Sequence, residues 1–545
     1  MPAEMTFELG KLAPAVDRRL AEWEAEGIGR RIWDRDPTVW AETDLPELSD
    51  RLGWLTLPGE MAAQLEELKG FASTVAEGSM THVVLAGMGG SSLAPEVFQA
   101  TLGNAEGYPE LIVLDSTHPD AVRSIDDRID LATTLFVIAS KSGTTLETMS
   151  FFQYFWARLG AAGLAQGDHF IALTDPGSQL AELAETRRYR RVFETPPEVG
   201  GRYSALTAFG LVPAALIGAD VDQILASAAS VAAACSAATP AAENPGLVLG
   251  AIWGEAALAG RDKVTFVVSP SLTAFPNWLE QLIAESTGKD GTGIVPVAGE
   301  DLAPPEGYAD DRLFVRYRLA GENGADSELA ALAKTGHPVV TIELAQLEDL
   351  GGEIFRAEFA TAAAGAVLGI HPFNQPDVQL AKELARQAMA GDLNGGAPIG
   401  AVSPANANEL MTWLGSLPVG GYIGLQAYAP MTATTTELLQ ALRLHLRDAT
   451  TAATTVGFGP RFLHSTGQLH KGGPSKAILM QLVTEPAEDL PVPETDYAFG
   501  NLIAAQAEGD YRALQERGQQ VLRVQLGQDS DLGLETLIDS VSSLV

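Results

Sequence analysis

The loop from Ser140 to Thr145 carries four hydroxyl groups and one lysine within six residues. It follows a β-prone run, 135–139, and opens a predicted helix at Leu146. A phosphate dianion is bound where hydroxyl and backbone N–H groups converge at the positive end of a helix. An ordinary helix cap needs one such hydroxyl and not four. The sequence therefore predicts a phosphate site formed by Ser140, Lys141, Ser142, Thr144 and Thr145.

Two glycine-rich loops flank this one in the sequence. Residues 87–92 read Gly-Met-Gly-Gly-Ser-Ser after a β-prone run, so the backbone at Gly90 and Ser91 can approach a ligand closely. A tight structural turn explains these glycines equally well. Arg202 follows two glycines at a predicted helix entry, where a guanidinium can stabilise an oxyanion across a cleft. A surface arginine in a turn fits the same residues.

A carboxylate, two amides and a lysine mark two further segments. Gln281 and Glu285 are one turn apart in a predicted helix, so they share a face. Glu285 precedes Ser-Thr-Gly, a helix end that can open onto a cleft, and a carboxylate there can act as a general base. Gln375 lies in a turn before a helix that carries Lys382. For both charged residues, exposure to solvent is the simpler interpretation.

The composition indicates a globular protein that binds neither nucleic acid nor membranes. The 545 residues are 46% hydrophobic, and the formal charge of −35 repels anionic polymers and lipids, so a phosphate site must be locally positive. No apolar run reaches the length of a membrane helix and no signal peptide is evident, so we expect a cytoplasmic protein. The one cysteine, Cys235, is expected to pack in the core. Without multi-cysteine or paired-histidine motifs, no metal is expected.

These loops must be positioned by strands, and β-prone runs alternate with helical segments through most of the chain. One series lies within residues 82–193, and a second follows an Ala-rich bridge and lies within 264–342. This alternation predicts an α/β fold of parallel sheets, in which ligands bind beyond the carboxyl ends of the strands. The predicted units are an N-terminal helical extension (1–60), a first domain (61–235), a second domain (245–400) and a C-terminal mixed, partly helical extension (401–545) that contributes to the site.

In their order, these segments resemble phosphoglucose isomerase, in the form found as the isomerase half of bifunctional transaldolase/phosphoglucose isomerase proteins. The resemblance implies two sugar isomerase (SIS) domains, each a parallel sheet flanked by helices. It also implies an enzyme, expected to be a homodimer, that interconverts glucose 6-phosphate and fructose 6-phosphate without a metal or organic cofactor. The resemblance also implies a role for each residue. Gly90 and Ser91 would contact the sugar, and the 140–145 loop would bind the phosphate. Glu285 would transfer the proton through a cis-enediolate, Arg202 would stabilise the oxyanion, Gln281 and Gln375 would contact the ligand, and Lys382 would assist ring opening.

The ring-opening histidine departs from the family pattern. No histidine lies between Ser286 and Ala330, where the family has a Gly-Gln-His segment. The best substitute is residues 462–473, which read Phe-Leu-His-Ser-Thr-Gly-Gln-Leu-His-Lys-Gly-Gly and follow the lysine segment rather than precede it. The candidates are His464 and His470. The Gly-Gln pair favours His470 slightly, and the choice stays open.

Two other functions use the same residues. A dual phosphoglucose/phosphomannose isomerase would need the same base with a pocket that tolerates either configuration at C2. A non-catalytic SIS-type sensor would need only the phosphate loop, so the presence of Glu285, Arg202 and Lys382 argues against it. Transaldolase activity is not expected, because no barrel domain precedes the isomerase segments.

Overall fold

Helices and strands alternate along the chain in the computed structural model, which describes residues 2–389, 400–474 and 476–544. Residues 390–399, which the sequence analysis placed at the end of the second domain, lie outside the described residues. The strands are β1 Glu4–Glu8, β2 His82–Gly87, β3 Glu110–Leu114, β4 Thr134–Ala139, β5 Phe170–Thr174, β6 Arg191–Glu194, β7 Lys263–Val268, β8 Val295–Val297, β9 Arg312–Leu319, β10 Val339–Leu344, β11 Tyr422–Tyr428, β12 Ala453–Phe458, β13 Ala477–Thr484 and β14 Gln520–Gly527. The α-helices are α1 Ala13–Glu26, α2 Ile28–Trp33, α3 Leu57–Ala62, α4 Leu65–Ala76, α5 Leu93–Leu102, α6 Pro119–Arg128, α7 Leu146–Ala161, α8 Gln179–Thr186, α9 Ala208–Leu216, α10 Val221–Ala234, α11 Pro245–Leu258, α12 Phe275–Thr287, α13 Asp326–Lys334, α14 Leu350–Leu368, α15 Val378–Met389, α16 Ala407–Leu414, α17 Ala433–Thr450, α18 Gly467–Gly472, α19 Phe499–Glu516 and α20 Ser530–Ser542.

The first sheet is the parallel sheet that the first β-prone series predicts. Its strand order is β3-β2-β4-β5-β6, with every pair parallel. All six residues of β4 are buried, as expected for a central strand covered by helices on both faces. The loops that follow β2 and β4 at their carboxyl ends are the glycine loop 87–92 and the hydroxyl loop 140–145. The sheet therefore brings both loops to one edge.

The second sheet has the order β1-β10-β9-β7-β8, and four of its strands are the parallel set expected from the second series. Its edge strand, β1, is antiparallel to β10 and comes from the N-terminal segment, which was expected to be helical. The residues of β1 are mostly exposed, so no hydrophobic alternation marks the strand in the sequence. Backbone pairing with β10 holds it in place, and Arg356 Nη2 donates to the carbonyl of Ala3 at 2.7 Å.

The C-terminal extension, expected to be mixed and partly helical, contains helices together with a third parallel sheet of order β12-β11-β13-β14 that the sequence did not predict. Helices α16, α17 and α20 cover one face of this sheet and share a separate hydrophobic core with it. Buried Gln426, Gln481 and Arg523 lie in register across β11, β13 and β14. These polar residues interrupt the apolar runs from which strands are read. Among the described helices, none combines the length and hydropathy needed to cross a membrane.

Candidate active site

Helix α12 places Gln281 and Glu285 on one buried face. Its first turn contains Pro276, where a proline removes no helical hydrogen bond. Its apolar side, which includes Trp278 and Leu282, packs into the largest core. Gln281 Nε2 donates to Glu285 Oε2 at 3.1 Å, and Glu285 is 6% exposed. The helix thus presents a carboxylate that is shielded from bulk water and oriented by an amide.

Arg202 holds the other oxygen of this carboxylate. Its Nη1 donates to Glu285 Oε1 at 3.2 Å, and its Nε donates to Ser286 Oγ at 2.7 Å. Its Nη2 donates to the carbonyls of Pro372 and Asn374 at 2.6 and 3.2 Å. The residue is 3% exposed, which excludes the alternative of a surface arginine. A buried pair with this many hydrogen bonds keeps both charges compensated and fixes their geometry.

Lys289 lies just beyond α12 and was not among the residues expected at the site. Its Nζ donates to the carbonyl of His371 at 2.6 Å. Burial, together with the positive charge of Arg202, lowers the pKa of Lys289 well below its ordinary value, although Glu285 opposes this effect. Arg202, whose Nη1 lies 3.2 Å from Glu285 Oε1, is the cation in direct contact with this carboxylate.

Besides Arg202 and Glu285, a second pair of acid–base side chains is formed by Glu147 and His464. His464 is in the short 3₁₀ turn Arg461–His464 that follows β12, and its Nε2 donates to Glu147 Oε1 at 3.0 Å. Gln506 Nε2 donates to the same oxygen at 2.7 Å. Burial by itself would raise the pKa of Glu147, but the attraction of His464, aided by Lys382, holds that pKa below its ordinary value. Glu147 is therefore an ionised, buried partner for the histidine.

Glu147 was not among the residues expected from the sequence. The available signal was an acidic residue in the first turn of α7, directly after the hydroxyl loop. In sequence this reads as a carboxylate that complements the helix dipole, a common feature of helix starts.

Gln281 links the two acid–base pairs. Besides its bond to Glu285, Gln281 Nε2 donates to the backbone carbonyl of His464 at 2.7 Å. A Cβ added at Gly89 would lie 2.6 Å from that same carbonyl oxygen, so the glycine loop, the His464 turn and α12 meet here. Gln281 Oε1 is buried and has no hydrogen-bond partner among the described residues, which leaves an acceptor for a ligand hydroxyl.

His470, the other candidate histidine, is built into the third sheet. It is buried on α18, where its Nδ1 is hydrogen-bonded to the hydroxyl of Tyr422 at 3.0 Å and its ring packs against Tyr422 and Phe462. Burial lowers the pKa of His470 to about 3, and Lys471 adds to this effect. A neutral histidine with these partners is placed to stabilise packing rather than to meet Glu147.

The hydroxyl loop is organised by hydrogen bonds within itself. The hydroxyls of Ser140 and Thr145 are 3.0 Å apart, and those of Ser142 and Thr144 are 2.7 Å apart. Thr145 directly precedes α7, yet its side chain makes no capping bond to that helix. Ser142 and Thr144 are exposed at the start of the 16-residue helix. This is a suitable arrangement for an anion at a positive helix end.

Lys141 is placed apart from these hydroxyls. Its Nζ donates to Asp175 Oδ1 at 2.7 Å and to the carbonyl of Pro196 at 3.4 Å. Burial lowers the pKa of Lys141, and its pairing with Asp175 opposes this. The structure thus commits its ammonium to a neighbouring carboxylate, which does not favour the predicted contact with phosphate.

The remaining predicted residues border the same region. A side chain at Gly90 would collide with the carbonyl of Gly201, so only glycine lets this loop pack against the turn that carries Arg202. Ser91 is half-buried in the glycine loop. Gln375 and Lys382 are also half-buried, one in the loop before α15 and the other on that helix. In the part of the chain that the structure describes, no group of three or more His, Cys, Asp or Glu side chains could hold a metal ion.

Comparison with known proteins places this arrangement in a family. A family model described as phosphoglucose isomerase matches residues 59–295. A glucose-6-phosphate isomerase of Rubrobacter xylanophilus is 30% identical over 435 residues, which cover 70% of this chain and 97% of that protein. A glucose-6-phosphate isomerase of Thermosynechococcus vestitus is 28% identical over 437 residues, covering 70% of this chain and 80% of that protein.

Two solved structures share the fold. A hypothetical protein from Thermus thermophilus matches with a TM-score of 0.62 and 26% identity, covering 71% of this chain and all of that one. A glucose-6-phosphate isomerase from Chlamydia trachomatis shares the fold, with a TM-score of 0.56 and 20% identity over 76% of this chain and 92% of that one. Since nearly the whole length of the Rubrobacter protein is matched at 30% identity, the chain belongs to the phosphoglucose isomerase family and is an aldose–ketose isomerase.

Proposed function

We propose that this enzyme interconverts glucose 6-phosphate and fructose 6-phosphate, with Glu285 as the base that moves a proton between C2 and C1. The observation that carries the proposal is the setting of the Glu285 carboxylate, which is buried between Arg202 and Gln281. Its relatives from Rubrobacter and Thermosynechococcus are named glucose-6-phosphate isomerases, which supports the choice of substrate.

Binding would begin at the hydroxyl loop. The phosphate accepts hydrogen bonds from Ser142, Thr144 and Thr145 at the N-terminus of α7, and Ser140 supports the loop from within. The sugar then lies over the glycine loop at Gly90 and Ser91, between the two acid–base pairs. Gln281 and Gln375 contact its hydroxyls. Holding the substrate in this way supplies the orientation that proton transfer requires.

Ring opening is assigned to His464, positioned by Glu147 and assisted by Lys382. A histidine that donates its Nε2 proton to a buried carboxylate is held in one orientation, from which it can exchange a proton with the ring oxygen. His470, which pairs with Tyr422, is assigned a packing role.

Isomerisation follows on the open chain. Glu285 removes the C2 proton, a cis-enediolate forms, and the same carboxylate returns the proton to C1. The guanidinium of Arg202 stabilises the negative charge that passes from the carboxylate to the enediolate oxygen. Each step is then carried by a residue of this chain.

The experiment compares Glu285→Gln with Glu280→Gln, a neighbouring acid on the same helix. Burial raises the pKa of Glu280 to about 8, and the positive charge of Arg443 opposes this shift. Glu285→Gln should lower kcat by about 10³-fold or more with a much smaller change in KM, since general-base catalysis is lost while binding is kept. Glu280→Gln should retain most of the activity. Near-normal kcat in Glu285→Gln would remove Glu285 as the base.

We also propose that the enzyme is a cytoplasmic homodimer, as the family resemblance implies. The expectation is tested by the mass of the native enzyme in solution and by its distribution on cell fractionation. A stable monomer, or recovery with membranes, would contradict it.

A further inference from the structure

The turn that carries His464 is fixed to the first sheet by a charge cluster that the proposed mechanism does not use. Arg461 is the first residue of that turn. Its Nη1 and Nη2 donate to the two carboxylate oxygens of Glu96 at 2.8 and 3.0 Å. Its Nη2 also donates to Asp115 Oδ1 at 3.0 Å, and its Nε lies 2.7 Å from Asp115 Oδ2. One guanidinium therefore engages two carboxylates.

The same cluster reaches the glycine loop. Asp115 Oδ2 accepts a hydrogen bond from Ser92 Oγ at 3.2 Å, and that hydroxyl is also 3.2 Å from the carbonyl of Gly89. Asp115 and Ser92 are both buried. A single arginine in the turn after β12 is thus connected to the loop that would contact the sugar, and it lies three residues before His464.

The other end of this segment is held by an uncharged side chain, Gln468. Gln468 is fully buried, and its Nε2 donates to the carbonyl of Gly288 at 3.0 Å and to Asp377 Oδ2 at 2.7 Å. Its Oε1 accepts from the backbone N–H of Asp377 at 3.0 Å. His464 therefore lies between two anchors, and the Arg461 anchor ties its turn to Glu96 on α5 and to Asp115 after β3.

We propose that Arg461 is a positioning residue for the reaction, whose paired contacts with Glu96 and Asp115 set His464 in register with Glu147. The inference rests on the proposed role of His464 in ring opening. A planar guanidinium that binds two carboxylates fixes both distance and angle, which a single contact does not. A shift of about 1 Å in the turn would break the 3.0 Å bond between His464 and Glu147.

The test is a double-mutant cycle of Arg461→Gln and His464→Ala, measured with fructose 6-phosphate. Arg461→Gln should lower kcat by about 10-fold or more while KM changes less, because the loss falls on a positioned group and not on binding. In the His464→Ala background, Arg461→Gln should lower kcat by less than about a further 2-fold, because it acts through the missing histidine. Arg461→Lys, which keeps the positive charge but not the planar, bidentate geometry of the guanidinium, should recover part of the rate.

The matched control is Arg523→Gln. Arg523 is a buried arginine on β14 of the third sheet that binds Gln481 Oε1 at 2.7 Å and Glu508 Oε2 at 2.7 Å, far along the chain from the turn. The Arg523→Gln substitution should lower thermal stability without a selective loss of kcat. If Arg461→Gln does not fold, Glu96→Gln, which weakens the same anchor, replaces it in the cycle.

The outcomes separate the two proposals. Wild-type kcat in His464→Ala would refute the role of His464 in the proposed function. A slow His464→Ala together with a wild-type rate in Arg461→Gln would refute the positioning role alone. Additive losses in the double variant would also refute it, because they would show that Arg461 acts independently of His464.

Discussion

Glu147→Gln is the substitution that tests the proposed ring-opening pair, Glu147 and His464, most cleanly, because it removes a charge and keeps the shape of the side chain. Glu147 is buried, its Oε1 accepts from His464 Nε2 at 3.0 Å, and an amide oxygen at that place could still accept from Gln506. Hydrogen bonds to charged groups contribute about 1.5–3 kcal/mol, and water does not replace them at a buried site. If this stabilisation is lost in the ring-opening step, the rate should fall by about 10- to 150-fold.

The assay measures two reactions of the same variant. Isomerisation of fructose 6-phosphate, which is largely cyclic, should slow by about 10- to 150-fold. Solvent hydrogen exchange into erythrose 4-phosphate, which cannot form a pyranose, should stay within about 3-fold of wild type, because it needs proton transfer by Glu285 but no ring opening. Unchanged isomerisation, or an equal loss of both reactions in a correctly folded variant, would refute this reasoning.

The hydroxyl loop, His470 and Glu353 each offer a further test. Ser142→Ala combined with Thr145→Ala should raise KM and weaken inhibition by inorganic phosphate together; undiminished inhibition would place the anion elsewhere. His470→Gln should keep most hexose isomerisation, because His470 is neutral and packed against aromatic rings, and a loss as large as that of His464→Ala would overturn its packing role. Burial raises the pKa of Glu353 from 4.5 to about 7, so its contribution to stability is present below pH 4.5 and is lost as pH rises through 7, by at most about 3 kcal/mol. Glu353→Gln should therefore gain Tm relative to wild type between pH 5 and pH 8, and a constant difference in Tm would contradict this.

The parts of the fold that followed from sequence are those with strong local patterns. Strands β2 and β4 are continuous apolar runs that end in glycine or hydroxyl loops, so both the strands and the edge where ligands bind could be predicted. β1 could not, because its residues are mostly exposed and pairing with β10 alone defines it. The third sheet was missed where buried Gln426 and Gln481 break the apolar pattern of β11 and β13.

The candidate site also combines residues that the sequence could predict with contacts that it could not. Gln281 and Glu285 share a helix face by spacing alone, and the structure brings them within hydrogen-bonding distance. The choice between the two histidines depends on Glu147, which lies 317 residues from His464 in sequence, so no local motif contains it. The neighbouring Gly-Gln pair pointed slightly toward His470, whereas the tertiary contacts favour His464.

Hydrogen exchange in D₂O tests most directly the central claim that Glu285 moves the proton while the Glu147–His464 pair opens the ring. Deuterium incorporation from solvent into erythrose 4-phosphate would be followed by NMR for the wild type, Glu285→Gln and His464→Ala. The account predicts that Glu285→Gln loses exchange by about 10³-fold or more, whereas His464→Ala keeps it within about 3-fold despite slow hexose isomerisation. Exchange at the wild-type rate in Glu285→Gln would contradict the account.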